Sequence, residues 1–139
     1  MKTGRWQLPG EAGQLPTALE FLQGFWEAAG LPAPLGFTFE LALEEVFLNV
    51  ALHGAEGQVV PTITLELAAD DHEVVLVVSD DARPFDPLTL ATPDTSAALE
   101  DRPIGGLGVH LVRQMMDTVS YTHEAGHNRL RMTKRLNQP

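Results

Sequence analysis

The chain lacks several features that would each mark a particular class of protein. Its 139 residues include no cysteine, which excludes both a disulfide framework and a thiolate zinc site. No run of about 18 apolar residues occurs, and the N-terminus lacks the basic-then-apolar order of a signal peptide. We therefore expect a cytoplasmic protein with no membrane partner.

Basic residues are also scarce. Nine Lys and Arg stand against 19 Asp and Glu, a formal net charge of -10. A nucleic-acid surface needs a basic stripe over the phosphates, so direct nucleic-acid binding is disfavoured. The basic cluster between Arg129 and Arg135 is interpreted as a solvated strand edge rather than a contact site. An acidic protein that binds a polyanion such as a nucleotide must concentrate positive potential locally, through backbone N–H groups or a metal ion.

The spacing of apolar residues predicts one domain over residues 1–139, with no internal repeat. The predicted fold class is α+β, a two-layer α/β sandwich with helices on one face of a mostly antiparallel sheet. A long segment without periodicity, about residues 81–104, is predicted to be a functional lid. The predicted elements, in chain order, are a strand at Arg5–Leu8, helices at about Leu15–Ala29 and Phe37–His53, a hairpin of Thr62–Ala68 and Val74–Ser79, a helix after Gly108, and a hairpin of Val119–Glu124 and Arg129–Leu136 that turns at Gly126.

The second predicted helix carries a polar stripe. At roughly 100° per residue, Glu45, Asn49 and His53 fall on one line at i, i+4 and i+8. A carboxylate and an amide between apolar walls are costly unless a ligand, an ion or water bonds to them. The stripe therefore predicts the inner wall of a binding site. A helical wheel of this segment places an apolar flank on each side of the stripe and a polar sector toward solvent. One flank is Phe39, Leu43, Val46, Phe47 and Val50, and the other is Phe37, Leu41, Leu48 and Leu52. The solvent sector is Glu40, Glu44 and Ala51.

Two further features suggest chemistry. Asp80 ends a valine-rich strand, where an unpaired buried carboxylate would be expensive, so it suits a donor such as an exocyclic amine. Gly105, Gly106 and Gly108 precede a helix, where glycines allow close backbone approach to an anion. By itself this glycine box is more typical of a turn that simply leads into a helix.

The order of these features resembles the Bergerat-fold ATP-binding family, which includes gyrase-type ATPases, MutL-type repair proteins and histidine kinases. The resemblance is strongest to the small anti-sigma factor serine kinases of bacterial partner-switching systems, and it covers nearly the whole chain. The matching phrases are Ala42–Asn49, Asp80 with Pro84–Pro87, Gly105–Val112, and Gly126–Asn128 with Lys134–Leu136.

The resemblance implies ATP and Mg²⁺ as cofactors and assigns roles to individual residues. Glu45 would be the general base, Asn49 would coordinate Mg²⁺, and Asp80 would accept a hydrogen bond from the adenine amino group. The glycine box would line the phosphates. From its place near the glycine box, Arg102 is favoured over Arg83 as a further contact to the phosphate oxygens. For His53, bonding to backbone or closing one end of the pocket is favoured over direct contact with the substrate. The family usually has glycine at the position of Ala82. A methyl group there disfavours positive φ and crowds the ligand, so we expect adenine binding to be weaker or slightly displaced. The remaining nucleotide-binding positions implied are Ala82, Phe85 and Leu107.

The implied function is an ATP-dependent serine/threonine kinase that phosphorylates an anti-anti-sigma antagonist and sequesters a sigma factor or other regulatory target. Phosphorylation would break the antagonist complex by adding charge to its interface. A nucleotide-binding module that controls a partner without phosphoryl transfer is the alternative. A sensor histidine kinase or ATPase motor is disfavoured, because no helix bearing a phosphoacceptor histidine and no transducer domain are expected. A homodimer is implied by the resemblance alone.

Overall fold

A computed structural model describes residues 1–54, 59–89 and 106–136, with the backbone alone described for 106–110. The lid predicted from the sequence is described as far as Thr89, and its residues 90–104 lie outside the described ranges. The elements, in chain order, are β1 (Lys2–Pro9), α1 (Leu15–Ala28), α2 (Ala33–Gly54), β2 (Thr62–Ala69), β3 (Glu73–Asp80), α3 (Gly106–Met115), β4 (Thr118–Glu124) and β5 (His127–Arg135), with short 3-10 turns at Ala12–Gln14 and Pro87–Thr89.

The strands form one sheet in the order β1-β2-β3-β5-β4, and every neighbouring pair is antiparallel. Both predicted hairpins are present, and the second turns at Ala125 and Gly126, which have φ of 52° and 79°. The helices pack on the sheet through one core, so the predicted α+β sandwich is confirmed. The β3–β5 pairing joins strands that are distant in sequence, and it places Asn128 opposite Asp80.

The turn between α1 and α2 is closed by a Schellman motif. The N–H of Gly30 donates to the carbonyl of Glu27, and the N–H of Leu31 donates to that of Trp26, each at 3.1 Å. Gly30 has φ of 65°, the left-handed conformation that this motif requires of the residue after the helix. The Trp26 indole N–H then donates to the Pro32 carbonyl at 2.8 Å, which fixes the start of α2 against the end of α1.

The burial of α2 differs from the predicted wheel in two respects. Phe37, Leu41 and Leu52, predicted to lie in an apolar wall, are 70%, 38% and 40% exposed. Ala51, predicted to face solvent, is 8% exposed. α2 contacts α1, β3 and α3, and sequence periodicity alone could not place those neighbours around the helix. The other predicted flank is buried, since Phe39, Leu43, Val46 and Phe47 are each at most 3% exposed.

The basic cluster on β5 has a partly structural role. The Lys134 ammonium donates to the Met115 carbonyl at the end of α3, at 2.7 Å. A cation at this position satisfies a terminal helix carbonyl and is stabilised by the negative end of the helix dipole. Arg131 and Arg135 are exposed, as predicted for a solvated strand edge. Among the described residues, no helix is long and apolar enough to cross a membrane.

Candidate functional site

A cavity lies where the C-terminal half of α2 faces the ends of β3 and β5. Its free volume is about 30 Å³, well below the roughly 300–1,000 Å³ of typical ligand sites. A purine base would therefore need exposed lining side chains, such as Arg83, to rotate outward. The polar lining residues come from three parts of the chain. They are Asn49 and His53 from α2, Asp80 and Arg83 from the end of β3 and the loop after it, and Tyr121 and Asn128 from the β4–β5 hairpin.

Asp80 is the buried carboxylate of the site, with 6% of its surface exposed. Its Oδ1 accepts from the Ala82 N–H at 3.0 Å and from the Asn128 amide at 2.9 Å. Burial raises the pKa of Asp80, and these two hydrogen bonds act in the opposite direction. Both bonds that the described residues make to this carboxylate end on Oδ1, so Oδ2 is the oxygen suited to a ligand donor.

Asn49 contributes a buried amide oxygen to the same cavity. The residue is 4% exposed, and its Oδ1 has no hydrogen-bond partner among the described residues. An unpaired buried acceptor is costly, and an amide oxygen is a ligand that Mg²⁺ accepts. The described residues contain no cluster of three or more acidic or histidine side chains that could hold a metal. Asn49 therefore fits a Mg²⁺ ion whose other ligands come from phosphates and water.

Glu45 lies one turn before Asn49 on α2, and it is half-buried. Burial is the main cause that raises the pKa of its carboxyl, and the neighbouring Glu44 carboxylate adds to it. A raised pKa suits a carboxylate that takes up a proton near neutral pH. Glu45 is not among the residues that line the cavity.

His53 stacks on Phe85, with ring centroids 4.0 Å apart and an interplanar angle of 26°. This pair joins the last turn of α2 to the loop after β3 and forms an aromatic wall at one end of the cavity. Burial is the main cause that lowers the pKa of His53, and the Arg83 charge lowers it further. The lowered pKa favours a neutral imidazole, which stacks without the cost of burying a charge.

Comparison with known proteins identifies the family. The model of the histidine kinase-like ATPase domain matches residues 8–134. The chain belongs to the histidine kinase-like ATPase family. It is 32% identical over 101 residues to the serine/threonine-protein kinase BtrW of Bordetella bronchiseptica, covering 73% of this chain and 71% of that protein. It is 29% identical over 136 residues to the serine-protein kinase RsbW of Listeria monocytogenes, covering 90% and 86%. It is 28% identical over 116 residues to RsbW of Bacillus mycoides, covering 76% and 71%.

These matches confirm the resemblance drawn from the motifs and the predicted class of enzyme, a serine/threonine protein kinase. Membership of this ATPase family also implies that the chain binds ATP. The partners and the residue roles were not decided by the comparisons, and they stay proposals.

The structure brings five of the predicted site residues to the one cavity: Asn49, His53, Asp80, Ala82 and Phe85. Arg102 and Gly105 lie outside the described residues. Gly106, Leu107 and Gly108 form the first turn of α3, as the glycine box predicted, and their backbone alone is described.

Ala82 does not strain the backbone of this histidine kinase-like ATPase. Ala125 is the one non-glycine residue with positive φ in the described part of the chain, so Ala82 stays outside the left-handed region. The turn after Asp80 therefore uses a conformation open to any residue, and the expected weakening of adenine binding stays a prediction. The Ala82 N–H instead helps to hold the Asp80 carboxylate.

Two functional candidates were not predicted from the sequence. Asn128 and Tyr121 line the cavity from the last hairpin. Asn128 belongs to a phrase that carries the family resemblance, but nothing in its neighbours along the chain indicates a buried position. Its place opposite Asp80 follows from the β3–β5 register, which local periodicity does not predict.

Proposed function

We propose that this protein is an ATP-dependent serine/threonine kinase of a partner-switching system. It phosphorylates an anti-anti-sigma antagonist and sequesters a sigma factor or another regulatory target. One observation carries the proposal. A buried carboxylate at Asp80 and a buried, unpaired amide oxygen at Asn49 face one cavity in an ATPase-family fold, and Glu45 lies one turn from Asn49.

The base of the nucleotide binds at the Asp80 end of the cavity. The Asp80 carboxylate accepts a hydrogen bond from the exocyclic amine of adenine, while its Oδ1 stays bonded to Ala82 and Asn128. A hydrogen bond to a charged acceptor is worth about 1.5–3 kcal/mol. His53 and Phe85 supply the aromatic surface at the other end.

Asn49 holds the Mg²⁺ ion through its amide oxygen, which provides a partner for an acceptor that is otherwise unpaired among the described residues. Mg²⁺ supplies charge neutralisation of the phosphates in this family of reactions. Gly106 and Gly108 offer backbone N–H groups at the start of α3, where the helix dipole favours an anion. Gly105 precedes them in the sequence and is proposed to contact the phosphates with them. Arg102 provides a further cation for the phosphate oxygens.

Glu45 acts as the general base on the hydroxyl of the protein substrate. Burial moves the pKa of Glu45 toward neutral pH, and a base with such a pKa accepts a proton more readily from the attacking serine or threonine. The position of Glu45 outside the cavity lining leaves room for a protein substrate to approach from outside.

The relatives named as serine and serine/threonine kinases support a protein substrate with an acceptor hydroxyl. The acceptor serine or threonine lies on a small antagonist, and the added phosphate breaks the antagonist complex through its charge. The kinase is then free to hold its sigma factor or other target. A homodimer is the proposed assembly.

The test is a transfer assay with the purified protein, Mg-ATP and the candidate antagonist identified by co-purification. Phosphoserine or phosphothreonine on the antagonist is expected, and the Glu45→Ala variant should bind nucleotide but transfer no phosphate. Equal transfer by Glu45→Ala would remove the proposed base. No transfer by either protein would remove the kinase proposal.

The position of Glu45 outside the cavity lining also favours a second candidate, a regulatory module that binds nucleotide and controls its partner without phosphoryl transfer. Calorimetry separates the two. A module of this kind would bind Mg-ATP, change its affinity for the partner, and leave the partner unphosphorylated.

A further inference from the structure

The side chain of Asn128 bonds to the end of β3 and to three residues of the loop that follows it. Its amide nitrogen donates to the Asp80 carboxylate at 2.9 Å, to the Arg83 carbonyl at 2.9 Å and to the Ala82 carbonyl at 3.3 Å. Its amide oxygen accepts from the Phe85 N–H at 3.0 Å and from the Tyr121 hydroxyl. The residue is 5% exposed, so these bonds are shielded from competing water.

The chemistry of these partners determines which way the amide faces. The three groups on the nitrogen side are all acceptors, and the Phe85 N–H on the oxygen side is a donor. A flipped amide would set oxygen against a carboxylate and two carbonyls. Burial also raises the pKa of Tyr121, so its hydroxyl keeps the proton that it donates to Asn128.

We infer that Asn128 is a positioning residue for recognition of the nucleotide base. It sets the Asp80 carboxylate and the Phe85 backbone relative to each other, and both of these residues line the cavity. Asn128 need not touch the nucleotide. It acts by holding the acceptor for the base amine and the start of the aromatic wall at a constant separation.

No other ordinary side chain reproduces this arrangement at the same length. Aspartate would place a carboxylate against Asp80, and alanine would leave the carbonyls of Ala82 and Arg83 without the donor that they have now. Serine carries one hydroxyl donor, compared with the two N–H donors of an amide. The inference rests on the proposed function, because it assigns Asn128 to the base-binding end of the same ATP site.

The test compares two nucleotides and three proteins by calorimetric titration in the presence of Mg²⁺. The nucleotides are ATP and purine riboside triphosphate, which lacks the 6-amino group of adenine. The proteins are the wild type, Asn128→Ala and Thr133→Val. Thr133 is the matched control, because it is also on β5, 4% exposed and hydrogen-bonded by its side chain. It lies about 17 Å along the strand from Asn128.

The wild type is expected to prefer ATP by about tenfold or more, the value of a hydrogen bond to a charged acceptor. In Asn128→Ala the affinity for ATP should fall by about tenfold more than the affinity for purine riboside triphosphate. The preference then disappears. Thr133→Val should lose thermal stability and keep the wild-type preference, because it disturbs the strand but not the loop.

Asn128→Asp gives a second test that removes no volume, and thermal unfolding shows whether each variant is folded. The same loss of preference is expected, because an oxygen replaces the donor that faces Asp80. A folded Asn128 variant that keeps the wild-type preference would overturn the inference while leaving ATP binding intact. If the wild type binds neither nucleotide, the proposed function fails and the inference fails with it.

Discussion

Replacement of Asn49 by leucine should stabilise the protein and abolish its Mg²⁺-dependent nucleotide binding. Leucine keeps the branched outline of asparagine but is larger, and Asn49 borders the cavity, which can take up the added volume. The change removes an amide oxygen that has no partner among the described residues. An unsatisfied buried polar group costs about 1–3 kcal/mol. We expect the free energy of unfolding to rise by about that amount and the midpoint of thermal unfolding by roughly 3–10 °C.

The assay is thermal unfolding of wild type and Asn49→Leu, each with and without Mg-ATP. The variant should be the more stable protein in the absence of nucleotide, and Mg-ATP should protect the wild type alone. Asn49→Asp is the control, since it keeps an oxygen ligand for Mg²⁺ but buries a charge, so it should be less stable and still bind Mg-ATP. A variant Asn49→Leu that unfolds more easily than wild type would refute the reasoning, because it would mean that the amide is already satisfied.

Three further predictions address other parts of the site. Glu45→Gln should lower the rate of phosphoryl transfer to the antagonist by about 10²–10⁴-fold, with nucleotide affinity unchanged in calorimetry; similar rates in both proteins would contradict a general base. Asp80→Asn should lose ATP affinity and gain stability at neutral pH. Because burial raises the folded pKa of Asp80, the wild-type carboxyl contributes stability below its ordinary pKa and loses it as pH rises through the folded value. Denaturant unfolding should therefore show an advantage for Asp80→Asn that grows from acidic to neutral pH; an advantage that shrinks would be inconsistent with this pKa. Phe85→Leu removes the ring stacked on His53 and should weaken nucleotide binding by about 2–10-fold, measured by titration; unchanged affinity would exclude Phe85 from the aromatic wall.

The local pattern of the chain determines its elements and most of its site. Helical and alternating spacings predict the helices and hairpins to within a few residues, because each pattern records which face of an element is buried. The stripe of Glu45, Asn49 and His53 is readable for the same reason. Asp80 is also readable, since a carboxylate that ends a valine-rich strand has an evident cost of burial.

Tertiary structure alone decides which distant residues meet. The exposure of Phe37 and the burial of Ala51 depend on where α1 and α3 pack around α2, and a helical wheel contains no information about neighbours. The pairing of β3 with β5 places Asn128 opposite Asp80. The sequence around Asn128 does not indicate its role, because its five side-chain hydrogen bonds all go to residues outside β5. The spacing of apolar residues indicates which face of a single helix or strand is buried. The partner of a buried polar group depends instead on the register between strands and on how the helices pack against them.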